Sequence, residues 1–254
     1  MKLSAPIFQL KRRAKLMART DGIALNEALD QIARDEGFAR WSLLSASMTS
    51  GPLSETILSR LEHGNLLLLA GRPGQGKTML GLKLLLDAAR SGRRAVLFTL
   101  ELTEEQAQRR LKTLDEADGA AANGIEVSTS DEISAGYIMK YMAGSKPGTI
   151  AVIDYLQLLD QQRSKPVLSE QLKSLEDFAR ETGVILGFIS QIDRSFEAAG
   201  KRLPDIHDVR LPNFVDLGLL DKACFLHGGE AQLQDVGQGD PADVAGAGGG
   251  GGVT

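Results

Sequence analysis

Gly71-Arg72-Pro73-Gly74-Gln75-Gly76-Lys77-Thr78 matches the pattern G-x-x-x-x-G-K-[ST] without a gap. The chemistry such a run offers is phosphate capture. Its glycines let the backbone curl until successive N–H groups point at one phosphate. The N-terminus of a following helix adds partial positive charge. Lys77 has the reach for β- and γ-phosphates, and the Thr78 hydroxyl suits Mg²⁺. Three more residues stand where such chemistry would use them. Asp154 ends the apolar run Thr149-Ile150-Ala151-Val152-Ile153, where an acid holds a metal-bound water; the plainer reading is a turn aspartate after a core strand. Glu101 directly follows the apolar run 95–100 and could polarise an attacking water, although acids at strand ends are common. Gln191 ends the run 184–190, as a γ-phosphate sensor or simply as a polar strand terminus.

The segments around these residues predict the scaffold that must position them. Residues 66–70 form a short apolar run before the glycines, and 79–89 are helix-forming with only Gly81 as an exception. Strand, Gly-rich turn and helix is the order that phosphate binding needs. Further strands are expected at 95–100, 125–127, 149–154, 184–190 and 223–226. Helices are expected at 103–114, where Thr103 and Gln106 form a capping box and Glu105 pairs with Arg109, and at 134–142 and 168–181, the last closed by Gly183. The alternation predicts an α/β fold with a mostly parallel sheet flanked by helices.

Upstream, apolar residues recur at helical spacing at Ile7, Leu10, Ala14 and Met17, and again at Leu25, Ala28, Leu29, Ile32 and Ala33. Gly37 stops the second helix, and Phe38, Trp41, Leu43 and Leu44 can fill the crevice between the two. Residues 1–46 therefore read as a small helical unit, 45–52 as a Ser/Gly/Pro-containing linker and 53–61 as a helix leading into the first strand. The expected organisation is a helical unit at 1–46, a P-loop domain at 47–227 and a disordered Gly-rich tail at 228–254.

Composition narrows the class. Among 254 residues, 43% are hydrophobic and 24% charged, as in a soluble globular protein. The longest apolar runs are too short to span a bilayer, and no apolar segment follows the basic start as in a secretory signal. A single cysteine, Cys224, leaves no internal disulfide framework, so a reducing cytoplasm is the natural setting. His63, His207 and His227 show no metal-ligand spacing. Residues 1–20 hold six cations and no acid, so residues 21–254 sum to −10 against a net −4 for the whole chain. The body is thus not a general nucleic-acid binder. The basic stripe at the start fits either a phosphate backbone or acidic partner, or a solvated helix face.

Taken together, the motifs resemble those of the DnaB-family replicative helicases. Residues 71–78 look like that family's Walker A, and Phe98-Thr99-Leu100-Glu101-Leu102 is similar to its Phe-Ser-Leu-Glu-Met segment. Val152-Ile153-Asp154-Tyr155-Leu156-Gln157-Leu158 looks like its Walker B. Ile189-Ser190-Gln191-Ile192-Asp193-Arg194-Ser195-Phe196-Glu197 resembles its Ser-Gln-Leu-Asn-Arg-Ser-Leu-Glu stretch, and Lys201-Arg202-Leu203-Pro204 with Asp208-Val209-Arg210 resembles its Lys-Arg-Pro and Asp-Leu-Arg elements. The resemblance spans roughly residues 62–227 in the family's order. It implies a RecA-like ATPase core using ATP and Mg²⁺ on single-stranded DNA, usually as a hexameric ring. By it, Lys77 and Thr78 bind phosphates and metal, Glu101 activates water, Asp154 supports the metal, Gln191 couples hydrolysis to DNA loops, and Arg210 and Arg194 face DNA. The chain departs from the family where Leu211-Pro212-Asn213 replaces Glu-Ser-Gly, and no Lys-x-Arg finger for a neighbour's site follows residue 227. Residues 1–46 do not match the family's large helical N-terminal domain. The expected function is a DnaB-like helicase or single-stranded-DNA-dependent ATPase, with slow or partner-dependent hydrolysis. The alternative is an ATP-binding regulator that captures a partner through residues 1–46. A P-loop kinase ranks below both, because it gives Glu101 and the Ser190-Gln191 strand end no purpose.

Overall fold

The computed structural model describes residues 7–115, 120–156, 159, 166–198, 200–210 and 215–236. Among these, seven strands form one sheet: β1 (Leu66–Gly71), β2 (Ala95–Thr99), β3 (Ile125–Ser128), β4 (Ile150–Asp154), β5 (Ile185–Gln191), β6 (Lys222–His227) and β7 (Glu230–Asp235). Their order is β3-β2-β4-β5-β1-β6-β7, and every neighbouring pair is parallel except β6 with β7. The helices are α1 (Ile7–Asp21), α2 (Leu25–Asp35), α3 (Trp41–Arg60), α4 (Lys77–Arg90), α5 (Glu104–Leu114), α6 (Ala120–Asn123), α7 (Ala135–Tyr141), α8 (Leu168–Thr182) and α9 (Ser195–Ala198).

The central strands are buried from end to end because both faces of the sheet are covered. Leu66, Leu68, Ile153 and Phe188 point to the side carrying α7 and α8; Leu67, Leu69, Val152 and Ile189 point to the side carrying α3, α4 and α5. The alternation follows from the two-residue side-chain period of a strand. Register then gathers the strand ends. Gly71 of β1 stands opposite Gln191 of β5, and Asp154 of β4 stands between Ile189 and Thr99. One carboxyl edge therefore carries every strand-end residue singled out above, in the position where open α/β sheets bind ligands.

The phosphate loop is held down by α4, which presses on the sheet through Gly81. A Cβ at Gly81 would lie 3.1 Å from Val152 Cγ1 and 3.2 Å from Ile189 Cδ1, so this helix glycine marks a close approach. Helix α5 starts where the sequence places it. Thr103 Oγ1 accepts from the Gln106 N–H at 3.2 Å, and Gln106 Oε1 accepts from the Thr103 N–H at 3.0 Å. Thr103→Ala is expected to cost about 1 kcal/mol and lower Tm by roughly 3 °C, read by thermal unfolding.

Two expectations are corrected. Residues 45–52 are not a loop linker: their backbone lies within the continuous helix α3. Packing at both ends overrides the weak local propensity, since Leu44 is buried among α1 and α2 while Ile57, Leu58 and Leu61 are buried against the α4 side of the sheet. The boundary expected at residue 46 thus falls inside a helix. Nor is the whole region from residue 228 structureless. Gly228 and Gly229, at φ +64° and +88°, make a two-residue turn, and β7 pairs antiparallel with β6. The Gly run at 248–252 and the departure from the family pattern at 211–213 lie outside the described residues.

Candidate nucleotide-hydrolysis site

Above the carboxyl edge lies a cavity of about 410 Å³. Its lining includes Pro73, Gly74, Gln75, Gly76, Lys77 and Thr78, together with Glu101, Asp154 and Gln191. Gly74 and Gly76 adopt φ of +76° and +88°, which turns the loop's N–H groups inward before α4 begins at Lys77. Gly71 and Arg72 stand behind the loop and do not line the cavity. Gly71 is buried as the last residue of β1. Arg72 donates from Nε to Glu197 Oε1 at 3.1 Å and from Nη1 to the Ile192 carbonyl at 3.3 Å. Gln75 is fixed from outside, its Oε1 accepting from the Gly228 N–H at 2.9 Å.

The cavity brings buried groups of opposite charge together. Lys77 is only 9% exposed, and its Nζ donates to the Arg72 carbonyl at 3.1 Å. Burial lowers its ammonium pKa, while Asp154 and Glu101 oppose that shift. Asp154 is 1% exposed, and burial together with the nearby Glu101 charge pushes its carboxyl up to about 6. A hydrogen bond with the Thr78 side chain and the charges of Lys77 and Arg110 work the other way. One oxygen, Asp154 Oδ2, is buried without a hydrogen-bond partner. An orphaned carboxylate oxygen beside a phosphate-loop threonine fits a Mg²⁺ site, which takes one or two protein oxygens plus phosphate and water. Among the described residues, no three-residue cluster of His, Cys, Asp or Glu offers a different metal cage.

Glu101 sits two residues past β2, exposed at the cavity wall, with its N–H donating to Thr99 Oγ1 at 3.1 Å. Gln191 closes β5, and its carbonyl accepts from the Arg210 N–H at 2.7 Å. Arg210 therefore neighbours Gln191 through the backbone. Arg194 is exposed in the turn before α9 and does not line the cavity. Sequence reasoning missed Arg110, which lines the cavity from α5. Helical spacing beside buried Ala107 and Leu111 was the available signal, but nothing local says that this face turns toward the phosphate loop. It also missed that Trp41 and Tyr155 contribute to the wall.

A mostly parallel sheet with a phosphate loop after β1, an acid just past β2 and another at the end of β4 defines a P-loop ATPase of the RecA-like kind. The model of the family described as "ATPase: KaiC" matches residues 47–209, and the chain belongs to that family. Among curated proteins it is similar to the replicative DNA helicase DnaB of Helicobacter pylori strain J99, 24% identical over 185 residues that cover 60% of this chain and 38% of that protein. It is likewise similar to the replicative DNA helicase DnaB of Synechocystis sp. strain PCC 6803, 28% identical over 181 residues that cover 59% of this chain and 21% of that protein. The chain thus spans less than half the length of these relatives. Among solved structures, a DnaB-like replicative helicase superposes with a TM-score of 0.55 at 19% identity, covering 85% of this chain and 65% of that one. At that identity the likeness is one of fold. No described helix is long and apolar enough to cross a membrane.

Proposed function

We propose that this ATPase couples ATP hydrolysis to movement on single-stranded DNA, as a DnaB-like motor domain that works in a homo-oligomer. The observation that carries the reading is one cavity shared by Lys77, Thr78, Glu101, Asp154 and Gln191. Lys77 and the loop N–H groups hold the phosphates. Thr78 and Asp154 would hold Mg²⁺, which neutralises charge on the β- and γ-phosphates when bound. Glu101 orients the attacking water and accepts its proton. Two ties run toward the segments expected to meet DNA: one from the Gln191 carbonyl at the cavity to Arg210, and one from Arg72, behind the phosphate loop, to Glu197 of α9. A shift of Gln191 or Arg72 on loss of the γ-phosphate would therefore move residues 192–210. In this reading residues 47–227 form the motor, and the helical unit before it joins through α3.

The test is ATP turnover of the purified chain with and without single-stranded DNA, with mass measured in the same buffers. Stimulation by DNA that weakens as salt rises, together with a ring-sized species in ATP, is the expected result. Equal turnover with and without DNA at every salt concentration would overturn the motor reading. Tight ATP binding with negligible turnover would instead favour the regulator.

A further inference from the structure

The start of α3 contributes to the nucleotide cavity. Trp41 and Ser42, the first residues of α3, line it together with the phosphate loop and the two acids. Trp41 is half-buried and belongs to two places at once. It packs against the core of the helical unit, which includes Leu10, Ile32 and Leu44. Its backbone N–H donates to Asp30 Oδ1 of α2 at 2.8 Å, which fixes the start of α3.

The flank on which α3 lies decides what Trp41 can touch. Glu101 lies just past β2 and Asp154 ends β4, both on one side of β1 in the sheet. Helix α3 runs along α4 and toward β7, at the other end of the sheet. Ser54 Oγ donates to Asp87 Oδ2 at 2.5 Å, and Arg60 Nη2 donates to Asp235 Oδ2 at 3.1 Å. A triphosphate on the loop with its terminal phosphate toward Glu101 and Asp154 therefore leaves its nucleoside on the α3 side. The polar wall of the cavity is taken up by the phosphate loop, Glu101, Arg110, Asp154 and Gln191. A purine needs a flat apolar surface, and an indole that already spends little rotamer entropy supplies one.

We propose that Trp41 is a nucleoside-contacting residue, its indole packed on the base of bound ATP, so that the N-terminal helical unit is part of the nucleotide site. The proposal rests on the reading of this cavity as the ATP site. Base stacking on an aromatic side chain corresponds to roughly ten- to a hundred-fold in affinity. Linkage then makes ATP binding and docking of the helical unit reinforce each other.

Trp41 is the chain's only tryptophan, so its emission reports this contact without labelling. The full chain is titrated with Mg²⁺-ATP and with Mg²⁺-tripolyphosphate, occupancy being followed by calorimetry. ATP is expected to change the emission and to shield Trp41 from acrylamide; tripolyphosphate, which has no nucleoside, is expected to bind with little change. Trp41→Ala is expected to weaken ATP by about ten-fold or more while tripolyphosphate affinity stays the same, with Trp41→Phe recovering most of the loss. If the alanine variant does not fold, the wild-type emission and the phenylalanine variant still decide. Calorimetric ATP binding with unchanged emission and unchanged quenching overturns the proposal and leaves the ATP-site reading intact. Equal loss of both ligands in Trp41→Ala assigns the residue to folding and also overturns it. Absence of binding by either ligand to the wild type overturns both readings.

Discussion

Lys77→Ala is expected to lower ATP turnover by roughly a hundred- to a thousand-fold, the range seen when one preorganised charge-stabilising donor is removed from a transition state. Lys77 is buried at the start of α4, beside Asp154 and Glu101 and at the end of a loop whose own N–H groups bind uncharged. It therefore carries the principal positive charge available to the β- and γ-phosphates inside the loop. The nucleotide-free protein should tolerate the change well. Burial lowers the Lys77 pKa, which means the fold disfavours its charged form, so removing it relieves a cost. The discriminating measurement is ligand-dependent melting. Wild type should gain about 2.7 kcal/mol of apparent stability at ATP concentrations a hundred times Kd, and Lys77→Ala should gain almost none. An unchanged ATP-dependent Tm in the variant would remove Lys77 from the site.

Asp154→Asn should separate stability from activity. The Asp154 carboxyl is raised from 3.8 to about 6, by burial first and by Glu101 second. Between those values the folded chain holds a proton that the unfolded chain has released, so stability falls as pH rises through this window. The fully developed cost above pH 6 is of order 3 kcal/mol. Asparagine never ionises. The nucleotide-free variant should therefore be more stable than wild type at pH 7 by up to about 3 kcal/mol, with the gap closing toward pH 4. Urea unfolding at both pH values reads this directly. Turnover should fall by a hundred-fold or more, because the variant offers the metal no anionic oxygen. Equal stability at pH 7, or turnover close to wild type, would show that Asp154 is not a buried carboxylate kept for a cation.

These expectations draw unequally on sequence and structure. The phosphate loop was legible because its chemistry is local: eight consecutive residues carry the glycines, the lysine and the threonine. Strand ends were legible for a similar reason. A buried parallel strand is a continuous apolar run, so the first polar residue after it, whether Asp154 or Gln191, marks the carboxyl edge. The capping box at Thr103 and the left-handed Gly183 closing α8 also follow from local backbone chemistry. Residues 45–52 failed the same treatment. A Ser-rich stretch followed by Gly and Pro has loop propensity, and only anchoring at both ends keeps it helical. At residues 228–236, composition hid a hairpin, because two glycines read as flexibility until a neighbouring edge strand, β6, is there to pair with.

The amino-acid sequence by itself determined the phosphate loop, the strands that end in Asp154 and Gln191, and the α/β class, because each is written in short-range pattern. Tertiary structure alone decided which of these residues share a cavity, that Arg110 and Trp41 join them, and that burial beside Glu101 pushes the Asp154 carboxyl up to about 6. Each of those outcomes depends on groups far apart in the chain: strand order sets Glu101 beside Asp154, and packing of α3 on α4 carries Trp41 to the loop. Desolvation and proximity are properties of the assembled fold, and no window of sequence contains them.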